Sequence, residues 1–265
     1  MTSRAVDFAR QGLTIVGALF QVVAGALTGP AVAQIANDYR TPILPSGYAF
    51  AIWTPIFLLA IIYAGWQALP AQREHPLLRR IGWFIAAGYI GNGLWELLFP
   101  AGQFLLAQVV ITAILGVLAL AYLRLPRAGQ GRNLTGAERW LVAMPLGLYF
   151  GWITAATCVG LAATLAVNGV ADTGSWAVAV GVALLLIGGA FAVTMIRAGL
   201  QGPPEGWVAY AVAVFWAVIG VAANQLGPSP VSGSAAIVIA GVVLAVVIWQ
   251  LSRSRNGERM IGQAA

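Results

Sequence analysis

Eight apolar stretches, almost free of charge and each close to the length that crosses a hydrocarbon core, confine this chain to a bundle of membrane-spanning helices. They run over 11–35, 48–69, 81–99, 103–124, 140–167, 175–196, 206–226 and 232–251. Lipid cannot hydrogen-bond a backbone, so a spanning segment must satisfy its own amides, and long uninterrupted stretches do so as α-helices. Apolar residues make up 60% of the chain and charged ones 8%, which leaves no segment able to form a soluble domain. The expected fold class is therefore all-α, a polytopic helical membrane protein of about eight transmembrane helices.

All fourteen basic residues are arginines, and eight crossings sort them unevenly. One side receives thirteen, from Arg4 and Arg10 through Arg73, Arg79, Arg80, Arg124, Arg127, Arg132, Arg139 and Arg197 to Arg253, Arg255 and Arg259; the other receives Arg40. Arginine-rich loops stay in the cytoplasm, so both termini are expected there, with a bacterial inner membrane as the location. The same distribution accounts for the pI near 10.1. A nucleic-acid partner is not expected, because the charge is spread over loops too short to form a reading module. Arg124 to Arg139 form the densest cluster and suit anionic lipid heads. The first stretch, between Arg10 and Ala31-Val32-Ala33, resembles a cleavable signal; its length favours a retained first helix. Asn133-Leu134-Thr135 fits a glycosylation pattern, but the expected topology leaves it in the cytoplasm.

Helices in lipid associate through close backbone approach and a few polar contacts. Gly17, Gln21, Gly25 and Gly29 recur at four-residue steps in the first stretch, as do Gly147, Gly151 and Ala155 in the fifth. Such ridges serve packing within the chain or a homodimer. The third stretch places Gly88, Asn92 and Glu96 on one stripe. A carboxylate at this depth faces a cavity or a partner unless it reaches the interface and is hydrated, and both readings stand. Trp66, Trp83, Trp140, Trp176, Trp207 and Trp249 lie near helix ends, where indoles anchor at headgroup level. Trp53, Trp95, Trp152 and Trp216 lie deeper.

Three segments carry a further signal: Pro45-Ser46-Gly47-Tyr48-Ala49-Phe50-Ala51-Ile52-Trp53-Thr54, Asn92-Gly93-Leu94-Trp95-Glu96-Leu97-Leu98-Phe99, and Trp152-Ile153-Thr154-Ala155-Ala156-Thr157. In this order, on the second, third and fifth stretches, they resemble the TspO/translocator family of tryptophan-rich sensory proteins, over about residues 10–165. This chain departs from the family pattern at Gly88, Glu96 and Gly160, and its last three stretches exceed the family's five helices. The resemblance implies a TspO-like five-helix region over 1–167, with three added helices and a short tail over 168–265. It also implies a tetrapyrrole, sterol or aromatic ligand in a pocket roofed by the loop between the first two helices. Position by position it points to Trp53, Asn92, Trp95, Trp152, Ala156 and Thr157, to which Glu96 is added as the neighbouring carboxylate.

The depths of these residues agree with that placement. At about 1.5 Å per residue, Trp53 lies ~8 Å and Asn92 ~10 Å below the outer surface, beneath the loop 36–47 with Asp38, Arg40, Pro42 and Pro45. Aromatic faces and a few polar groups around an apolar hollow suit a flat lipophilic guest; interhelical packing around a filled core is the alternative. Catalytic chemistry has little material. His75 is the lone histidine, expected to be solvated in a short loop; neither a metal site nor haem ligation is expected there, and Cys158 is expected to be a packed thiol. No cofactor is required, and a porphyrin or other tetrapyrrole is a candidate ligand. The expected function is binding of a porphyrin-like or other lipophilic molecule for sensing, regulation or transport, with the bilayer and that molecule as partners. Two other readings stay open: a secondary transporter, with helices interrupted at Pro30, Pro55 and Pro145, and an assembly subunit of a larger membrane complex.

Overall fold

The computed structural model describes residues 3–125, 134–171 and 174–262, with Ser3 and 253–262 as backbone alone. Arg127, Arg132 and Asn133 lie outside the described residues, as do the side chains of Arg253, Arg255 and Arg259.

Eight long helices follow in order: α1 Ser3–Asp38, α2 Trp53–Ala68, α3 Pro76–Leu98, α4 Phe104–Leu123, α5 Gly136–Val167, α6 Gly174–Gly199, α7 Pro204–Gln225 and α8 Pro230–Gly262. A short 3-10 segment, Gly47–Ile52, leads into α2. By length and apolar composition seven of the eight can cross a membrane; α3 is the exception, diluted by Arg79, Arg80, Asn92, Glu96 and its glycines. It nevertheless runs alongside α1 over most of the bundle's height. Arg79 near its start pairs with Asp7, and Glu96 near its end accepts from Thr28, two points of α1 that lie about 30 Å apart along a helix. The polar residues that lower its hydropathy are those that bind it to α1.

Helices α1, α3, α4, α5 and α2 pack side by side and close into a ring. On its other flank α5 carries α7, which packs in turn on α8, while α6 touches α5, α7 and α8. The ridge at Gly147 and Gly151 makes the α5–α7 contact. A Cβ on Gly147 would collide with the backbone carbonyl of Gly206, and one on Gly151 with that of Tyr210. The register rises in step on both helices, so they run parallel with their backbones in contact, and Thr154 and Tyr210 share a hydroxyl–hydroxyl bond of 3.1 Å one turn further along. In α1, Gly17 abuts Tyr89 and Ile90 of α3, and Gly25 abuts Phe57 of α2. Both ridges thus serve packing within the chain at these positions; Gly29 meets nothing. α7 is the most enclosed span, with two thirds of its most apolar window buried. The outer faces of α4, α6 and α8 expose Val109, Ile187 and Val238, as lipid-facing walls do.

The prolines do not interrupt the helices. α1 continues through Pro30, Pro55 lies in the first turn of α2, and Pro145 follows a π turn at Arg139–Ala143 within α5.

At the arginine-rich end the structure corrects three sequence expectations. Arg10 is wholly buried instead of marking a loop: its Nη1 donates to Gln67 Oε1 at 3.2 Å and its Nη2 to the Arg73 carbonyl at 2.8 Å, in space left by Gly82. His75 is not solvated, since its Nε2 stands 3.3 Å from Glu138 Oε1, a carboxylate that also closes the capping box with Thr135 at the start of α5. Trp207 is buried and does not belong to an interfacial belt. Arg10 thus holds α1 to the α2–α3 connection. Replacing it with alanine leaves the Gln67 amide oxygen and a buried carbonyl unpaired, an expected loss of about 2 kcal/mol. Thermal unfolding should show that loss, whereas Arg197→Ala, at an exposed position, should stay within about 0.5 kcal/mol of the parent.

Candidate functional site

The α1–α2 connection is not helical around Pro42 and Pro45, and crosses the opposite, arginine-poor end of the bundle. Its backbone carbonyls need donors, and α7 supplies them. Gln225 Nε2 donates to the Leu44 carbonyl at 2.9 Å and to that of Thr41 at 3.3 Å; Asn224 Nδ2 donates to Leu44 at 3.0 Å. The Trp216 indole donates to the Ala49 carbonyl at 2.8 Å and stands edge-on to Tyr48. In return the Ser46 amide donates to the Gly220 carbonyl at 2.9 Å, and Gly220 and Gly181 leave room for Ala49 and Ile43. Gln225 is therefore buried although it lies at a helix end, and Asn224 is half-buried.

Beneath this strapped loop lies an apolar cavity of about 90 Å³. Its roof is Thr41, Ile43, Leu44, Pro45 and Phe50. Trp95 and Phe99 of α3 form one wall, and Trp152, Ala155, Ala156, Cys158, Val159 and Gly160 of α5 another. The far side comes from α6 at Leu184, Leu185, Gly188 and Gly189, and from α7 at Val214, Ala217, Val218 and Val221. The hollow thus sits where the five-helix ring meets the last three helices, with α5 common to both.

Of the seven residues singled out in the sequence, Trp95, Trp152 and Ala156 line this cavity. Trp152 stands edge-on to Phe50 at 5.9 Å and to Trp53 at 6.0 Å, and Trp95 stacks on Phe99 at 5.0 Å. Trp53 therefore lies one ring behind the wall, stacked on Phe57. Asn92 is buried outside the wall, and its Nδ2 has no partner among the described residues. Glu96 is 4% exposed, so it is not a hydrated interfacial group; it accepts from Thr28 Oγ1 at 3.3 Å against Gly25. Thr157 turns its hydroxyl to its own helix, onto the Ile153 carbonyl at 2.7 Å, while its carbonyl accepts from Gln108. Cys158, expected as a packed thiol, borders the hollow and fits against Gly188.

The residues missed are those of α6 and α7. Their apolar runs read as undifferentiated spans; the one legible signal was Asn224-Gln225 beside Trp216, three donors on one helix facing the end that bears the proline-rich loop.

The wall offers stacking faces and aliphatic surface with almost no polar group. The Trp152 indole N–H is a buried donor without a partner among the described residues, as is the hydroxyl of Thr41 in the roof.

A family model described as TSPO-like protein matches residues 11–249. The matched stretch therefore runs beyond the fifth helix, through α6 and α7 into α8. No curated protein and no solved structure matches the chain.

Proposed function

The chain belongs to the TSPO-like protein family, and from that premise we propose that this integral membrane protein binds a lipophilic small molecule in the cavity beneath its α1–α2 loop. The observation that carries this reading is the cavity itself. It is an apolar hollow between Trp95 and Trp152, roofed by a loop that α7 holds in place. Apolar pockets with few oriented polar groups take lipophilic ligands, and here the indole faces of Trp95 and Trp152 supply much of the wall.

Pockets for drug-sized ligands measure roughly 300–1,000 Å³. At about 90 Å³ the cavity takes a small ring or a few carbons of a slender chain, the rest of which lies outside it. A tetrapyrrole, the ligand that the TspO/translocator resemblance implies, needs Phe50 or the roof to move first. With the arginine-rich end in the cytoplasm, the roof faces outward and the ligand arrives from the external leaflet. Sensing, regulation and transport all follow from such a receptor, and its partner is the ligand.

The test uses the full chain in lipid nanodiscs. Methyl oleate, a slender apolar probe, should quench tryptophan fluorescence saturably, and protoporphyrin should bind more weakly or more slowly. Ala156→Phe should lower methyl oleate affinity at least tenfold while the protein elutes as the parent does. Unchanged affinity in this variant would remove the cavity as the binding site.

A further inference from the structure

A second hollow of about 500 Å³ lies beside the same loop, and its chemistry differs from that of the first. Its walls carry Asn37, Arg40, Thr41, Asn224, Gln225 and Ser229, and no acidic residue lines it among the described residues. Arg40 is the one arginine in the chain set apart from the other thirteen. Its guanidinium makes a single hydrogen bond among the described residues, from Nε to the Asn37 carbonyl at 3.3 Å, and no ion pair. Arg40 is exposed at the edge of this hollow, with Asp38 two residues before it but not in the wall, and a cation beside a neutral polar lining attracts an anion.

The two hollows share wall residues. Thr41 and Leu44 line both. Thr41 is 5% exposed, and its Oγ1 is buried without a partner among the described residues. The stretch of loop at Thr41 and Leu44 therefore stands between the apolar space and the polar space that holds the arginine.

We propose that the ligand is a single-chain amphiphile with a carboxylate head: part of its tail occupies the apolar cavity, and its head lies in the polar hollow against Arg40. This rests on the proposed binding role of the apolar cavity and adds the class of molecule. The small volume of that cavity leaves no room for the two chains of a membrane phospholipid. The amides of Asn224 and Gln225 give their N–H groups to the loop, and Arg40 supplies the charge that recognises the head.

Oleate and methyl oleate have the same tail and differ in the head's charge. Each is titrated, as a mole fraction of a zwitterionic nanodisc bilayer at pH 8.5, into the full chain and into Arg40→Gln, with tryptophan quenching as the readout. Oleate should bind the parent about tenfold more tightly than the ester. Arg40→Gln should remove that preference and leave ester affinity unchanged, and raised salt should shrink the preference in the parent. Equal affinities for acid and ester in the parent, or a preference that survives Arg40→Gln, would overturn the inference and leave the apolar binding role standing. Loss of binding by both probes would sink the apolar site as well.

Discussion

A leucine at position 151 should unseat α7 from α5 and cost the protein its fold. The two helices run with backbones in contact, and even a Cβ at Gly151 meets the Tyr210 carbonyl and lies 2.9 Å from the Ala213 side chain. Backbone cannot step aside as a side-chain tip can, and the neighbouring Gly147–Gly206 approach holds the crossing on the other side. Overpacking a side-chain core costs about 1–3 kcal/mol, and a clash against backbone falls at or above the upper end. The loss spreads, because α7 carries α8, the far wall of the cavity and the straps on the α1–α2 loop. Thermal unfolding in nanodiscs should show a strongly lowered midpoint or no folded material. Gly241→Leu, on α8 where an added Cβ meets nothing within 4 Å, should unfold with the parent. Equal behaviour of the two variants would mean that the α5–α7 contact is not close.

The second large effect concerns the roof. Gln225→Leu keeps the bulk of the side chain but removes two hydrogen bonds to the loop, leaving the Thr41 carbonyl with the Leu44 N–H alone and the Leu44 carbonyl with Asn224 alone. Each lost hydrogen bond costs about 0.5–1.5 kcal/mol, so the loop should detach locally while the helices stay folded. Hydrogen exchange should rise roughly tenfold to a hundredfold at the amides of Leu44 and Ser46, which bond to Thr41 and Gly220. A cavity whose roof opens more often should also admit the bulky protoporphyrin faster than the parent does. Unchanged exchange at both amides would show that the prolines alone hold the loop.

Both expectations depend on the last three helices, the part of the chain with the fewest legible features. Their sequence is Ala, Val, Gly and Leu with scattered polar residues, a composition that predicts a span without predicting its neighbour. Gly206, Gly220 and Gly181 look like any glycine in a membrane helix until a carbonyl, Pro45 and Ile43 are found against them. The aromatic motifs were more informative: Trp95 and Trp152 reached the cavity wall, and Trp53 came to rest directly behind Trp152. The polar members of those motifs did not follow. Asn92 and Glu96 share a stripe on α3, but Glu96 is met by Thr28 and Gly25 of α1, so the stripe became a seam between helices.

What the chain determines by itself is its relation to the bilayer. Hydropathy and arginine placement act residue by residue through transfer from water to lipid, so eight helices and the inequality of their two ends follow without knowledge of any contact. Which faces meet is decided by shape and by the pairing of buried polar groups, and these exist only once helices are side by side. Tertiary structure therefore settled that Arg10 lies inside the protein, that α7 straps the loop through Gln225, and that the hollow opens at the junction of the two helix groups. In lipid a helix's apolar surface is equally content against a neighbour or against acyl chains, so hydrophobicity cannot choose among the seams.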